Sequence, residues 1–269
     1  NATVKAASGC DVIIAVLGED ELRTGESRSR TSLDLPGRQQ ALLEALHATG
    51  KPVVLVLING QPLTINWASR NVASILEAWF PGSMGGKAIA QTLFGEYNPG
   101  GKLSMTFPKT TGQIQYNFPF KPGSHGLQNT KDPNGAGTTR VIGPLYPFGY
   151  GLSYTTFDYS DLNIAKDGEE YVVSFNVRNT GKVAGAEVAQ VYVGDDQCRL
   201  ARPVKELKGF DKVYLKPGEV RNISVRLGEE AFRFFDPIER SFVVEPGTFT
   251  VHVGSSVAHI RLTGALTVE

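Results

Sequence analysis

Little in this chain points to metal or redox chemistry. Only two cysteines, Cys10 and Cys198, occur in 269 residues, without a CxxC spacing, and the four histidines (His47, His125, His252, His259) are scattered. A metal site needs ligands that converge, so no metal or cofactor is expected, and each cysteine reads as a free structural thiol. An excess of one charge is missing too, since 27 acidic residues balance 27 basic ones. Without a net field or a basic run, nucleic acid and an anionic membrane surface are both set aside as partners. No run reaches the ~20 apolar residues that cross a bilayer. No signal-peptide pattern opens the chain, which starts at Asn1 rather than Met.

What is present is ordinary globular material: 41% hydrophobic and 20% charged residues, in a chain long enough for two modest domains. "DVIIAVLG" (residues 11–18) and "KPVVLVLING" (51–60) are apolar runs rich in β-branched residues, suited to strands buried on both faces. Between them, "PGRQQALLEALHATG" places Leu42, Leu43 and Leu46 at helical spacing, with Gly50 as a stop. "VASILEAWF" then predicts a third strand, "GGKAIAQTLFG" a helix closed by Gly95, and "GKLSMTFP" a short final strand. Strand and helix in this alternation imply parallel pairing, an α/β layered domain over residues 1–115.

Residues 116–157 read as a linker rich in Gly, Pro and Asn. From 158 to 269 the period changes to two. Tyr171, Val173, Phe175 and Val177 alternate with polar or outward positions, as do Ile223, Val225 and Leu227, and Phe249, Val251 and Val253. The turn signals "NTGKVAG", "LKPGEV" and "EPGT" punctuate these runs. Short alternating strands at such intervals predict an antiparallel β-sandwich of immunoglobulin-like architecture. The fold class is therefore α/β plus all-β.

Three segments carry candidate chemistry. The loop after the first strand, residues 18–36, which includes most of "ELRTGESRSRTSLDLPG", gathers Glu19, Asp20, Glu21, Glu26 and Asp34 with Arg23, Arg28 and Arg30 near a strand's carboxyl end. Ligand sites of open α/β sheets lie at such ends, and carboxylates there either do proton work or form solvated ion pairs. "FPGSMGGKA" lacks the spacing of a phosphate loop and, with Pro81 in place of a glycine, that of a nucleophile elbow. Its glycines read as permitting close helix–sheet packing. "LYPFGYGLSYTTF" offers Tyr146, Phe148, Tyr150, Tyr154 and Phe157, either as a sugar-stacking surface or as glue at a domain interface.

Several long stretches in fixed order narrow the choice: "VLVLINGQPL", "ILEAWFPGSMGGKAIAQTLFGEYNPGGKLSMTFPKTTGQI", "LYPFGYGLSYTTF", "VRNTGKVAGAEVAQVYV" and "RPVKELKGFDKVYLKPGE". Together they resemble the C-terminal half of family 3 glycoside hydrolases of the bacterial β-glucosidase and β-xylosidase type. The resemblance implies a partial α/β sandwich with a mostly parallel sheet, followed by a fibronectin type III-like β-sandwich. It also implies an N-terminal barrel domain, absent from this chain, that carries the aspartate nucleophile. A sheet without its opening strands would expose an apolar edge.

Residue by residue, "TGESRSRTSLDLP" is similar to the family loop that bears the general acid/base, and Glu26 is the matching carboxylate; Glu19 and Glu21 match less well. The departure is "SRSR", where related loops often place Asp before Arg. Because a guanidinium in contact would hold an acid ionised, Arg23, Arg28 and Arg30 are expected to face outward or to pair with Asp34 or Glu21. The implied activity is retaining hydrolysis of a terminal β-D-glucosidic or xylosidic bond in a β-linked oligosaccharide or glycoside. A periplasmic or secreted location is implied, and the isolated chain is expected to be inactive. A non-catalytic accessory role, structural or carbohydrate-binding, is the alternative.

Overall fold

The computed structural model describes residues 2–113, 116–121, 143–195 and 197–269. They form two compact units that are not contiguous in sequence. The first gathers the described residues of Asn1–Tyr97, Phe107–Gln115 and Asn129–Leu145; the second gathers those of Asn98–Thr106, Tyr116–Gln128 and Tyr146–Glu269.

The first unit is built on three parallel strands, β1 (Ile13–Gly18), β2 (Val53–Ile58) and β3 (Ser74–Glu77), paired in the order β1-β2-β3. Its helices are α1 (Ala2–Ala7), α2 (Gln39–His47), α3 (Asn66–Asn71) and α4 (Gly85–Leu93). The central strand β2 is covered on both faces, with Val53, Leu55, Val56 and Leu57 buried. Helix α2 buries Leu43 and Leu46 and stops at Gly50, whose φ of +74° suits a glycine and whose N–H bonds the His47 carbonyl at 3.0 Å.

Strand β1 departs from the expectation of burial on both faces. Ile13 and Ala15 are buried, but Val12, Ile14 and Val16 are 50%, 45% and 56% exposed. As the edge strand it has one neighbour, and its apolar run is covered on one side only among the described residues. The short α3 has no counterpart in the sequence pattern, because six residues are too few to show a helical period. "GKLSMTFP" is not a fourth strand of this sheet. Its backbone bonds elsewhere, with the Leu103 N–H to the Tyr150 carbonyl at 2.8 Å and the Gly149 N–H to the Leu103 carbonyl at 2.7 Å.

The second unit is a β-sandwich. One antiparallel sheet has the order β12-β11-β6-β7 and the other β4-β5-β8, with a small β9–β10 hairpin beside them. The strands are β4 (Phe157–Asp167), β5 (Glu170–Asn179), β6 (Gly185–Asp195), β7 (Glu206–Leu215), β8 (Val220–Leu227), β9 (Phe234–Asp236), β10 (Ser241–Val243), β11 (Gly247–Ser256) and β12 (His259–Val268). The period-two positions supply the core: Val173, Phe175 and Val177 from β5 join Val191 of β6, Ile223 of β8, and Phe249 and Val251 of β11 in one buried cluster.

Polar cross-links tie the loop segments to this sandwich. The Asn98 amide donates to the Ala184 carbonyl at 2.9 Å, and its carbonyl oxygen accepts from the Ser153 hydroxyl and the Tyr154 N–H. Lys102 pairs with the buried Glu187 at 3.1 Å, which also accepts the Tyr159 hydroxyl at 2.8 Å. The fully buried Asn179 is satisfied at both side-chain atoms: its amide donates to the carbonyls of Val183 and Leu215, and its oxygen accepts from the Thr155 hydroxyl and the Gly181 N–H. An Asn179→Ala chain leaves the buried Thr155 hydroxyl and Leu215 carbonyl without that partner, so its urea unfolding free energy should fall by about 3 kcal/mol. A loss under about 0.5 kcal/mol would show that water replaces the amide.

Candidate functional site

The site is built where the three parallel strands end. β1 stops at Gly18, held at a φ of +138°, and any Cβ there would collide with the backbone of Ile58. The Gln39 side chain at the start of α2 reads both backbone groups of Gly18, accepting from its N–H and donating to its carbonyl, each at 2.8 Å. Strand end, helix start and loop departure are thereby fixed at one point.

The next residue, Glu19, has a side chain with no solvent exposure. One carboxylate oxygen accepts the Gly60 N–H at 3.0 Å; the other accepts the Gln61 amide at 2.9 Å and pairs with the Arg30 guanidinium. Arg30 also donates to the Asp34 carbonyl at 2.6 Å. At the end of β2, the fully buried Asn59 donates to the Gln61 carbonyl at 2.8 Å and, at 3.5 Å, to Glu77 at the end of β3. The Asn59 carbonyl oxygen is buried without a hydrogen-bond partner. Glu77 accepts the N–H of Trp79, a residue at a φ of +50° whose ring tilts against Phe107 at 5.8 Å. Burial pushes the Glu77 carboxyl up from its ordinary value of 4.5 to about 7, and the negative charge of Glu19 adds to the shift, against the opposing bonds from Trp79 and Asn59.

Beyond this floor the loop projects outward. Glu26 is exposed on a turn closed by the Arg28 N–H to the Gly25 carbonyl at 3.1 Å, with Ser27 at a φ of +61°. None of the three nearby arginines bonds to it: Arg23 and Arg28 are exposed, as expected, and Arg30 reaches Asp34, though through its backbone, while also pairing with the unexpected Glu19. Arg23 pairs with Asp20, Arg28 donates to the Leu22 carbonyl at 2.9 Å, and Arg30 takes Glu19 and the backbone of Asp34. The geometry separates the three carboxylates that sequence alone left side by side. Glu19 is buried and ion-paired, whereas Glu21 and Glu26 are exposed.

The other two segments resolve differently. Gly85, at the start of α4, is crowded by the Pro81 ring and not by the sheet, so its small size serves the turn. In the aromatic run, Phe148 stacks on Phe118 at 4.6 Å, and Phe118 in turn meets Tyr192 edge-on at 5.7 Å. Tyr146 stacks on Tyr150 at 5.4 Å. These contacts all lie within the second unit.

Comparison with known proteins fits this architecture. The model of the glycosyl hydrolase family 3 C-terminal domain matches residues 1–154, and that of a fibronectin type III-like domain matches residues 187–257. A β-xylosidase of Formosa agariphila is 44% identical over 99% of this chain, which spans 37% of that protein. A periplasmic β-glucosidase of Salmonella typhimurium is 43% identical over 96% of the chain and 34% of its own length. The crystal structure of a β-glucosidase from Listeria innocua in complex with glucose superposes with a TM-score of 0.89 at 36% identity, over 99% of this chain and 38% of that one. The chain thus spans little more than a third of the relatives it matches.

The buried cluster at the strand ends makes a prediction about pH. Glu77 binds its proton more tightly folded than unfolded, so its contribution to stability is greatest below about pH 4.5 and is lost as pH rises through about 7. Because the side chain is only partly buried, the loss should be on the order of 1–2 kcal/mol. Glu77→Gln should remove that part of the pH dependence and match or exceed the parent in stability at about pH 8, measured by urea unfolding at several pH values. An unchanged slope between about pH 4.5 and 7.5 would mean that Glu77 is ionised throughout.

Proposed function

The chain belongs to glycoside hydrolase family 3, and from that premise we propose that it is the C-terminal portion of a retaining β-glycosidase, with Glu26 as its general acid/base. In this reading the nucleophile stands on a separate N-terminal barrel domain, and the substrate is a terminal β-D-glucosidic or xylosidic bond. The observation that carries the assignment is the position of Glu26: an exposed carboxylate on a projecting loop at the carboxyl end of a parallel sheet, with every neighbouring guanidinium engaged elsewhere.

The chemistry follows from that position. The protonated Glu26 carboxyl gives its proton to the glycosidic oxygen while the nucleophile attacks the anomeric carbon and the leaving group departs. The resulting carboxylate then takes a proton from the water that releases the sugar. A retaining reaction requires the two carboxyl groups to approach to about 5–5.5 Å, so the loop must reach across a domain boundary. The relatives named β-xylosidase and β-glucosidase support the substrate class, and the one named periplasmic supports a periplasmic or secreted location. Among the described residues, no helix is long and apolar enough to cross a membrane.

Two outcomes are expected. The isolated 269-residue chain should hydrolyse no β-glucoside or β-xyloside, because one carboxylate cannot supply the covalent step. Joined to a nucleophile-bearing barrel domain, it should gain activity that Glu26→Ala lowers about 10³-fold on an alkyl β-glycoside, with azide restoring turnover of an activated aryl glycoside. Turnover of the alkyl substrate unchanged by Glu26→Ala would remove Glu26 from the role.

A further inference from the structure

We infer that Glu19 is the positioning residue of the loop that carries Glu26, acting through Arg30; this rests on the reading of Glu26 as the acid/base. The loop leaves the sheet at Glu19, whose N–H still bonds the Ile58 carbonyl at 2.8 Å. It returns at Arg30 and is then fastened at several points. Asp34 accepts the hydroxyls of Ser32 and Thr64, the Thr64 N–H bonds the Leu33 carbonyl at 2.9 Å, and the Leu33 N–H bonds the Thr111 hydroxyl at 3.1 Å. Between these limbs the tip has little of its own to hold it. Arg23 and Thr24 both bond Asp20, Arg28 bonds within the turn, and the Thr24 methyl and Phe80 ring close over Gly60. An ion pair bridges the outgoing limb to the returning one, and Glu26 lies between its two members in the chain.

The chemistry of that pair suits positioning better than plain stability. A buried ion pair gains little over an apolar contact of the same shape, because both charges must leave water. What it adds is direction. Glu19 receives donors from Gly60, Gln61 and Arg30, which come from the β2 end and the returning limb. The Arg30 fork then reaches Asp34 as well. A greasy plug would let the limbs slide, whereas this set of donors fixes their spacing and hence the place of the tip.

The test uses the chain joined to a nucleophile-bearing barrel domain, with leaving-group dependence as the readout. Glu19→Gln keeps the shape and removes the charge. It should lower kcat/KM on a methyl β-glycoside about 10²-fold and leave a dinitrophenyl β-glycoside, which needs no acid, within about threefold. Arg30→Lys, which keeps the charge but loses the fork, should fall between the parent and Glu19→Gln on the methyl glycoside. An equal loss on both substrates, with a lower Tm, would mark a merely structural pair and overturn the inference. In the 269-residue chain itself, Glu19→Gln should speed amide hydrogen exchange of residues 20–29 about tenfold while residues 53–58 stay protected. Unchanged exchange there would overturn the inference whatever the kinetics give. If Glu26→Gln shows no leaving-group split, the acid/base reading fails by itself, and the exchange result still decides whether Glu19 orders the loop.

Discussion

A parallel sheet brings the carboxyl ends of its strands to one rim, and each strand there must pass its chain to a loop without regular backbone pairing. In this protein that passage depends on a buried carboxylate. Glu19 is the first residue past β1, has no exposed side-chain surface, and collects a backbone N–H, an amide and a guanidinium. Those donors belong to the segments that must meet at the rim, so a single anion sets the spacing of the outgoing loop, the returning limb and the turn after β2. A charge held in that way is demanding, since its partners cannot be removed singly without leaving another buried group unpaired. That demand is what gives the loop a defined root.

Both units order irregular chain with buried polar groups. In the sandwich, neutral amides anchor the loops beside the Lys102–Glu187 ion pair: Asn179 and Gln190 each span segments distant in sequence, the latter bonding the carbonyls of Gly149 and Ser255. A neutral amide with all its bonds made loses little on burial and carries no field. The first unit places Glu19 and Glu77 within electrostatic reach of each other, with Arg30 paired to Glu19. Burial, with a smaller push from the Glu19 charge, holds the Glu77 proton toward neutral pH.

The legible parts of the fold are those in which a period reports burial. The alternations are clearest at Val173, Phe175 and Val177 and at Phe249, Val251 and Val253, all of which are buried, and the spacing of Leu43 and Leu46 marks α2. Strand β1 differs from its pattern on one face, because an apolar run reports what a strand prefers and not whether a neighbour is there to cover it. "GKLSMTFP" differs because extended backbone pairs with whatever edge comes near, here Gly149 and Tyr150. The loop around Glu26 is visible from its position after an apolar run. The polar floor beneath it is not, since Asn59 and Glu77 lie 18 residues apart and each looks like an isolated polar residue. A usable signal does exist: each of the three apolar strands ends at or just before a carboxylate or amide, Glu19, Asn59 and Glu77.

Glu77 and Glu26 show why a shifted pKa and a catalytic assignment need separate arguments. Perturbed carboxyls gather at active sites, and Glu77, raised to about 7, has the value suited to a proton donor at neutral pH. Its surroundings argue otherwise. The shift comes mainly from burial in the floor, and its oxygens face the Trp79 N–H and the Asn59 amide, neither of which is a substrate position. Glu26 has the opposite profile, an exposed group on a projecting turn, and in the proposed enzyme its surroundings would be completed by the surface that meets the loop. In an enzyme assembled from two domains, the acid must be presented by one and given its environment by the other. The residue to seek in either part alone is therefore the carboxylate that is held in place and left uncovered.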